Sequence, residues 1–209
     1  MKAFTRVTGT AIPFIEDDVN TDQIAPIGAG ARMSEDYAET LFRHRRRGAD
    51  GAEIADFTFN LPQFRTGAIL LSGRNFGCGS SRESAVWTFL AIGVTCIIAR
   101  SFADMYRENC LQNGILPITL PDAQADALEA AVVAANGASP FTVDLEKQEI
   151  AGPNGLHIAF DISAADRTRL LEGLDDIGLT MKHRAEIEAF EKKMAEALPW
   201  SQRADASSL

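Results

Sequence analysis

Three short apolar runs, separated by two stretches of helical spacing, constrain this chain more than anything else in its sequence. The runs are GAILLSG at 67–73, VTCIIA at 94–99 and LPITL at 116–120. Runs of this kind, bounded by glycine and polar residues, are buried strands. Between the first two lies RESAVWTFLAIG, which carries Val86, Trp87, Leu90 and Ala91 at helical spacing and Gly93 past its end. Between the second and third lies SFADMYRENCLQNG, with Ser101 as the expected N-cap and Gly114 as the C-cap. Strand–helix–strand–helix–strand implies parallel pairing with right-handed crossovers. The expected class is α/β with a parallel-sheet core.

The flanks are read more coarsely. VTGTAIPFI is an expected strand, followed by the polar, turn-rich loop EDDVNTDQIAP. IGAGARM is expected to be tightly turned or mobile. SEDYAETLFRH is an expected helix, with Ser34 as N-cap and Arg43 to Arg47 placing positive charge at its far end. Beyond the third strand come a helix from Asp122 to Ala135, a hairpin-like pair (FTVDLEKQEI and GLHIAFDI around PNG), and one or two C-terminal helices. Residues 1–198 form one expected domain with a β-rich periphery. Residues 199–209, polar and small, form an expected disordered tail.

Composition excludes several classes. The apolar runs are far too short to cross a bilayer, and MKAFTRVTGT lacks the apolar stretch of a secretory signal. Three cysteines, an odd number without repeated spacing, argue against a disulfide framework and fit a reducing cytoplasm. A net charge of −9 weighs against a nucleic-acid partner. If so acidic a chain handles an anion, positive potential must be concentrated locally, at a loop or a helix start.

One loop meets that requirement: Asn75-Phe76-Gly77-Cys78-Gly79-Ser80-Ser81-Arg82-Glu83, between a buried strand and a helix. Glycines at 77 and 79 let the backbone bend and approach a ligand. The helix start offers N–H groups and the positive end of its dipole. Arg82 can clamp a carboxylate through two parallel hydrogen bonds. A phosphate loop needs Gly-Lys-Ser/Thr and a dinucleotide fingerprint needs a third glycine, and neither is present. On spacing alone, the competing structural role is a plain helix cap by Ser80 or Ser81 with Glu83. Thr21 and Asp22 in VNTDQIAP have their own plain alternative, an Asx-type turn.

GCGSSRE, with the later IIARSFADMYRENCLQNGILPI, resembles the signature of the aconitase superfamily's swivelling domain, and VNTDQIAP resembles that domain's other motif. Together with GLDDIGLTMKH, these motifs cover about residues 4–195 in an order similar to the separate small subunit of bacterial 3-isopropylmalate dehydratase. The resemblance implies an aconitase-type swivelling β/β/α domain with C-terminal helices. It implies a heterodimer in which the [4Fe–4S] cluster is held by a large subunit, this chain binds no metal, and a small dicarboxylate is the substrate. Ser80 matches the family's catalytic base, Ser81 and Arg82 match carboxylate binders, and Thr21 and Asp22 match active-site positions. Gly77, Cys78, Gly79 and Glu83 then support the loop, and Arg32 is a candidate substrate contact. The implied activity is isomerisation of 2-isopropylmalate to 3-isopropylmalate by dehydration and rehydration, in leucine biosynthesis.

Departures keep alternatives open. Ser84 stands where the family usually has histidine, and Val86 near where it often has proline. Gly28, Ala29, Gly30 and Ala31 replace the bulky residues expected to meet an isopropyl group, so citraconate, dimethylmalate or another substituted malate is an alternative substrate. A non-catalytic anion-binding module on the same fold is an alternative of another class. Cys96 and Cys110 are expected core thiols, and Cys78 a loop thiol near the site. His157 and His183 are expected to be structural. The run Arg43-His44-Arg45-Arg46-Arg47 either guides substrate, docks an acidic partner face or is a solvated charge run.

Overall fold

Ile69–Ser72 (four residues, all buried) and Cys96–Ala99 (likewise all buried) lie side by side at the centre of a parallel sheet. The computed structural model describes residues 1–26, 37–79, 82–198 and 200. The chain divides into two compact units, Met1–Gly173 and Leu174–Leu209.

In the first unit the strand expected over 7–15 is two strands in different sheets. β1 (Arg6–Gly9) pairs antiparallel with a later strand, whereas β2 (Ala11–Phe14) joins the parallel sheet. The switch falls at Thr10, whose carbonyl accepts from the amides of Ala68 and Ile69 at 3.1 and 3.4 Å. Gly9 passes close to Ala68, where a Cβ would stand 3.2 Å from the Ala68 Cβ. After α1 (Thr21–Ile24), the helix expected over 34–44 is also interrupted. α2 (Tyr37–Thr40) and α3 (Arg43–Arg46) are separated by Phe42, which is left-handed at φ 47°. The expected cap Ser34 lies outside the described residues.

The middle follows the expected order: β3 (Ile69–Ser72), α4 (Glu83–Ala91), β4 (Cys96–Ala99), α5 (Asp104–Asn113) and β5 (Leu116–Thr119). The sheet runs β2-β3-β4-β5, parallel throughout. The strands lack polar alternation because both faces are covered, with alternate residues entering different cores. Ile69, Leu71, Cys96 and Ile98 join Leu128 and Phe141 on one side. Leu70, Ile97 and Ala99 join Phe14, Phe89 and Tyr106 on the other. Gly114 caps α5 at φ 82°, but the N-cap is Ala103 and not Ser101, whose hydroxyl is engaged elsewhere.

α6 (Asp122–Ala135) matches its expected bounds. The hairpin-like pair is a three-stranded meander. FTVDLEKQEI folds on itself into β6 (Phe141–Asp144) and β7 (Glu149–Ala151), and β8 (His157–Ala159) follows. The polar centre of that run makes the turn: Asp144 accepts from the Lys147 amide, and Gln148 is left-handed at φ 54°. β1 completes this sheet in the order β1-β6-β7-β8. α7 (Ala164–Glu172), capped by Ser163, closes the unit.

The second unit holds α8 (Asp176–Met181), capped by Asp175, and α9 (Arg184–Ala197). Among the described residues, three helices thus follow the meander where one or two were expected. Of the tail 199–209, only Trp200 is among the described residues. Among those residues, no helix is long and apolar enough to cross a membrane.

Candidate active site

Ligands of parallel sheets gather at the carboxyl ends of the strands, and here the loops leaving β2, β3 and β4 are tied together at that edge. Gly73 is essential to the approach: a Cβ there would stand 2.2 Å from Asp17 Oδ1 and 2.5 Å from the Glu16 carbonyl oxygen. The Gly73 amide donates to Glu16 O, the Arg74 amide to Asp17 Oδ1 at 2.6 Å, and the Asp18 amide back to Arg74 O at 2.9 Å. Further along, Gly77 N donates to Val19 O at 2.8 Å and Thr21 N to Cys78 O at 2.9 Å. The β4 loop joins through Ser101, whose hydroxyl accepts from Asn75 N and whose carbonyl accepts from Phe76 N.

Each motif also has local support. Asn20 caps the α1 turn reciprocally with Gln23, so the Thr21–Asp22 segment is a capped helical turn. Gly77 is left-handed at φ 77°, and a Cβ there would meet Tyr106 Cγ at 2.0 Å. Gly79, at φ 89°, faces Thr21, whose Oγ1 lies 3.8 Å from where a Cβ would be. Arg82 is the N-cap of α4 and makes no side-chain cap bond. Its guanidinium instead forms an ion pair with Asp22 and donates to Ala25 O. Glu83 turns away and accepts from Asn113 of α5 at 2.8 Å.

The structure therefore brings Thr21, Asp22, Gly77, Cys78, Gly79 and Arg82 into one place. Ser80, Ser81 and Arg32 lie outside the described residues. Gly79, on one side of the serines, is exposed, and Arg82, on the other, is partly open, so solvent reaches both flanks.

Known proteins are similar to this chain. Residues 1–123 match the aconitase C-terminal domain, and residues 176–204 match the C-terminal domain of the 3-isopropylmalate dehydratase small subunit. The 3-isopropylmalate dehydratase small subunit of Parvibaculum lavamentivorans is 45% identical over 201 residues, covering 96% of this chain and 100% of that protein. That of Brucella anthropi is 44% identical over 211 residues, with the same coverage of both. This chain belongs to the 3-isopropylmalate dehydratase small-subunit family. A crystal structure of 3-isopropylmalate dehydratase from Methanocaldococcus jannaschii aligns with a TM-score of 0.59 at 26% identity, over 89% of this chain and 99% of that one.

Within this small-subunit family member the three thiols differ in setting. Cys96 and Cys110 are fully buried, and burial pushes both far above the ordinary thiol range. Cys78 is half-buried on the loop, and burial together with the nearby Asp18 charge also raises it. All three are therefore neutral thiols at pH 7 rather than thiolates. His157 is exposed beside Glu149, and His183 is exposed beside Glu186.

The basic run is divided: Arg43 and His44 are exposed, whereas Arg45, Arg46 and Arg47 are half-buried and bonded within the fold. Arg45 donates both terminal nitrogens to Glu16 at 2.7 Å while lying over Phe14, Phe42 and Phe57 at 5.2–5.9 Å. Arg46 reaches Asn60 and the Ala38 carbonyl, and Arg47 reaches Glu39 and the Gly51 carbonyl. Arg45 thus anchors the start of the Asp17–Asp22 loop. The sequence does not show this role, nor the cross-loop contacts of Asp17, Asp18, Asn75 and Ser101, because each depends on a partner distant in the chain.

Proposed function

We propose that this chain is the small subunit of a heteromeric hydro-lyase that isomerises 2-isopropylmalate to 3-isopropylmalate in leucine biosynthesis, active only with a large subunit. The observation that carries the reading is the union of the two motif loops, with the Asp22–Arg82 pair beside the Ser80–Ser81 position. In this reading Ser80 takes the proton next to the substrate carboxylate. A serine is a weak base, and the positive end of the α4 dipole stabilises its deprotonated form. Arg82 and Ser81 hold a carboxylate of the dicarboxylate substrate, while Thr21 and Asp22 orient groups from the opposing turn. Arg32 is a further carboxylate contact. Loss of the proton and the hydroxyl gives an alkene diacid, and water adds back with the opposite regiochemistry.

The [4Fe–4S] cluster belongs to the large subunit in this reading, where it supplies Lewis acidity toward the leaving hydroxyl. The donors of this chain do not fit such a cluster. Cys96 and Cys110 are core thiols without access, and Cys78 stands on the loop. Among the described residues, no group of three His, Cys, Asp or Glu side chains is placed to hold a metal.

The test is anaerobic reconstitution with the cognate large subunit, comparing wild type with Ser80→Ala. Loss of turnover by three orders of magnitude or more, roughly the scale expected when a proton-transfer group is removed, supports the assignment; turnover within a few-fold of wild type rejects it. The small side chains of Gly28–Ala31 make citraconate and dimethylmalate the necessary competitors in that assay. A higher kcat/KM on either would move the substrate assignment without moving the chemistry.

A further inference from the structure

Asp18 and Asn75 are both left-handed, at φ 55° and 53°, and are bonded to each other: the Asn75 side-chain amide donates to Asp18 Oδ1 at 2.7 Å. Left-handed Asn and Asp are common at helix ends and hairpin turns, and Asn136 and Asn154 are of that ordinary kind here. The Asp18–Asn75 pair differs in place. Asp18 immediately precedes the segment that leads to Thr21 and Asp22, and Asn75 immediately precedes the segment that leads to Gly79 and Arg82. Each is thus the bend through which one motif loop is aimed, and the side-chain bond locks one bend against the other. Asn75 is held from a third direction as well, since its backbone amide donates to Ser101 Oγ at 2.8 Å.

Burial does not account for the pair, because both side chains are exposed. The sheet does not need it either. β2 and β3 are already paired along Ala11–Phe14 and Ile69–Ser72, and one solvent-exposed hydrogen bond adds little to stability. Together with the Asp18 amide's bond to Arg74 O and the Arg74 amide's bond to Asp17 Oδ1, the bond sits just upstream of the contacts that set the register of the two loops. Val19 O receives the Gly77 amide and Cys78 O receives the Thr21 amide. A change in either bend would shift those contacts, and with them Asp22 relative to Arg82.

We propose that Asp18 and Asn75 are positioning residues that fix the placement of the Thr21–Asp22 turn against the Gly79–Arg82 loop for turnover. The inference rests on the reading of this loop as the catalytic one. Neither residue touches substrate in this account; each acts through the loop it aims. Displacement of a reacting group by about 1 Å costs up to 10²-fold in rate, so the effect falls on kcat rather than on the fold.

Glycine substitution isolates the side-chain link, because glycine adopts the same left-handed backbone freely. In the complex with the large subunit, Asn75→Gly and Asp18→Gly are each expected to lower kcat about tenfold or more, with KM within about twofold and Tm nearly unchanged. Asp18→Asn keeps both the acceptor oxygen and the left-handed tolerance, and is expected to restore most of the wild-type rate. Amide hydrogen exchange on the free subunit should show Gly77 and Thr21 exchanging about tenfold faster in Asn75→Gly, with the β3 and β4 amides unchanged. Wild-type kcat in both glycine variants alongside an inactive Ser80→Ala overturns the clamp and leaves the catalytic reading standing. A kcat loss matched by a fall in Tm overturns it in favour of a purely structural role. Should Ser80→Ala remain active, the catalytic reading itself fails, and unchanged exchange at Gly77 and Thr21 would then dispose of the clamp too.

Discussion

The carboxylate of Asp22 is paired with the guanidinium of Arg82, joining the two motif loops across the carboxyl edge of the sheet. The pair is lopsided: the Arg82 side chain is 19% exposed and that of Asp22 57%. The arginine is therefore held in place by protein on most sides, including the Ala25 carbonyl, while its acidic partner stays open to solvent. In the proposed function, an arriving substrate carboxylate would meet a cation that is already oriented.

Arg82→Lys keeps the charge and removes the planar fork. Hydrogen bonds to charged groups contribute about 1.5–3 kcal/mol, so kcat/KM of the reconstituted enzyme should fall roughly 10- to 100-fold, with little change in Tm. A variant within threefold of wild type would show that Arg82 does not hold substrate through its fork.

Gly77 and Gly79 are both left-handed, yet their surroundings predict different costs for alanine. At Gly77 the new methyl would fall on the root of the buried Tyr106 ring, 2.0 Å from Cγ and 2.5 Å from Cβ, where a packed core cannot yield. At Gly79 its nearest neighbour among the described residues would be the Asn20 Cβ at an ordinary 3.5 Å. Backbone strain costs about 1–3 kcal/mol in either case, and overpacking adds about 1–3 kcal/mol at Gly77 alone. Urea titration should therefore rank Gly77→Ala clearly below Gly79→Ala in stability. The reverse order would contradict the packing account.

The parallel core was legible because its strands are buried on both faces and so appear as unbroken apolar runs, with Gly114 marking one helix end. The break between β1 and β2 was not, because VTGTAIPFI has one local character throughout. The change of sheet is decided by Thr10 meeting Ala68, far along the chain. Phe42 was missed for a related reason. A phenylalanine is a poor left-handed residue by propensity, and here its ring is fully buried among Phe14, Phe57, Phe59 and Phe89, so tertiary packing sets the backbone. At the site, the sequence pointed to the Gly77–Glu83 loop because two glycines, adjacent hydroxyls and an arginine stand together at an expected helix start, and the family resemblance singled out Thr21 and Asp22. The residues that aim those loops are ordinary Asp, Asn and Ser, and only their mutual distances distinguish them.

Arg45 illustrates the cost of losing such an anchor. Its bidentate bond to Glu16 is the main reason its own pKa is raised, and three phenyl rings lie beneath the guanidinium. The pair is partly exposed, at 31% and 43%, so a double-mutant cycle of Arg45→Met and Glu16→Gln should give a coupling of only about 1 kcal/mol. That coupling should shrink as salt is raised. A value near zero at low ionic strength would mean that the aromatic contacts alone hold Arg45 in place.

Acid should loosen the far end of the same sheet edge through Asp122. Hydrogen bonding from Arg74 is the largest cause of its lowered pKa, with Arg100 adding to it. A carboxyl whose folded pKa lies below its unfolded one stabilises the fold fully above the unfolded value, and that contribution disappears as pH falls through the folded value. The ordinary aspartate value is about 3.9, so the loss belongs below about pH 4. Asp122→Asn should melt earlier than wild type at pH 6 and converge with it on acidification, which separates this carboxylate from the others titrating in the same range. Parallel melting curves with a constant gap from pH 6 down to about pH 2.5 would mean that the Arg74–Asp122–Arg100 contact does not act through charge.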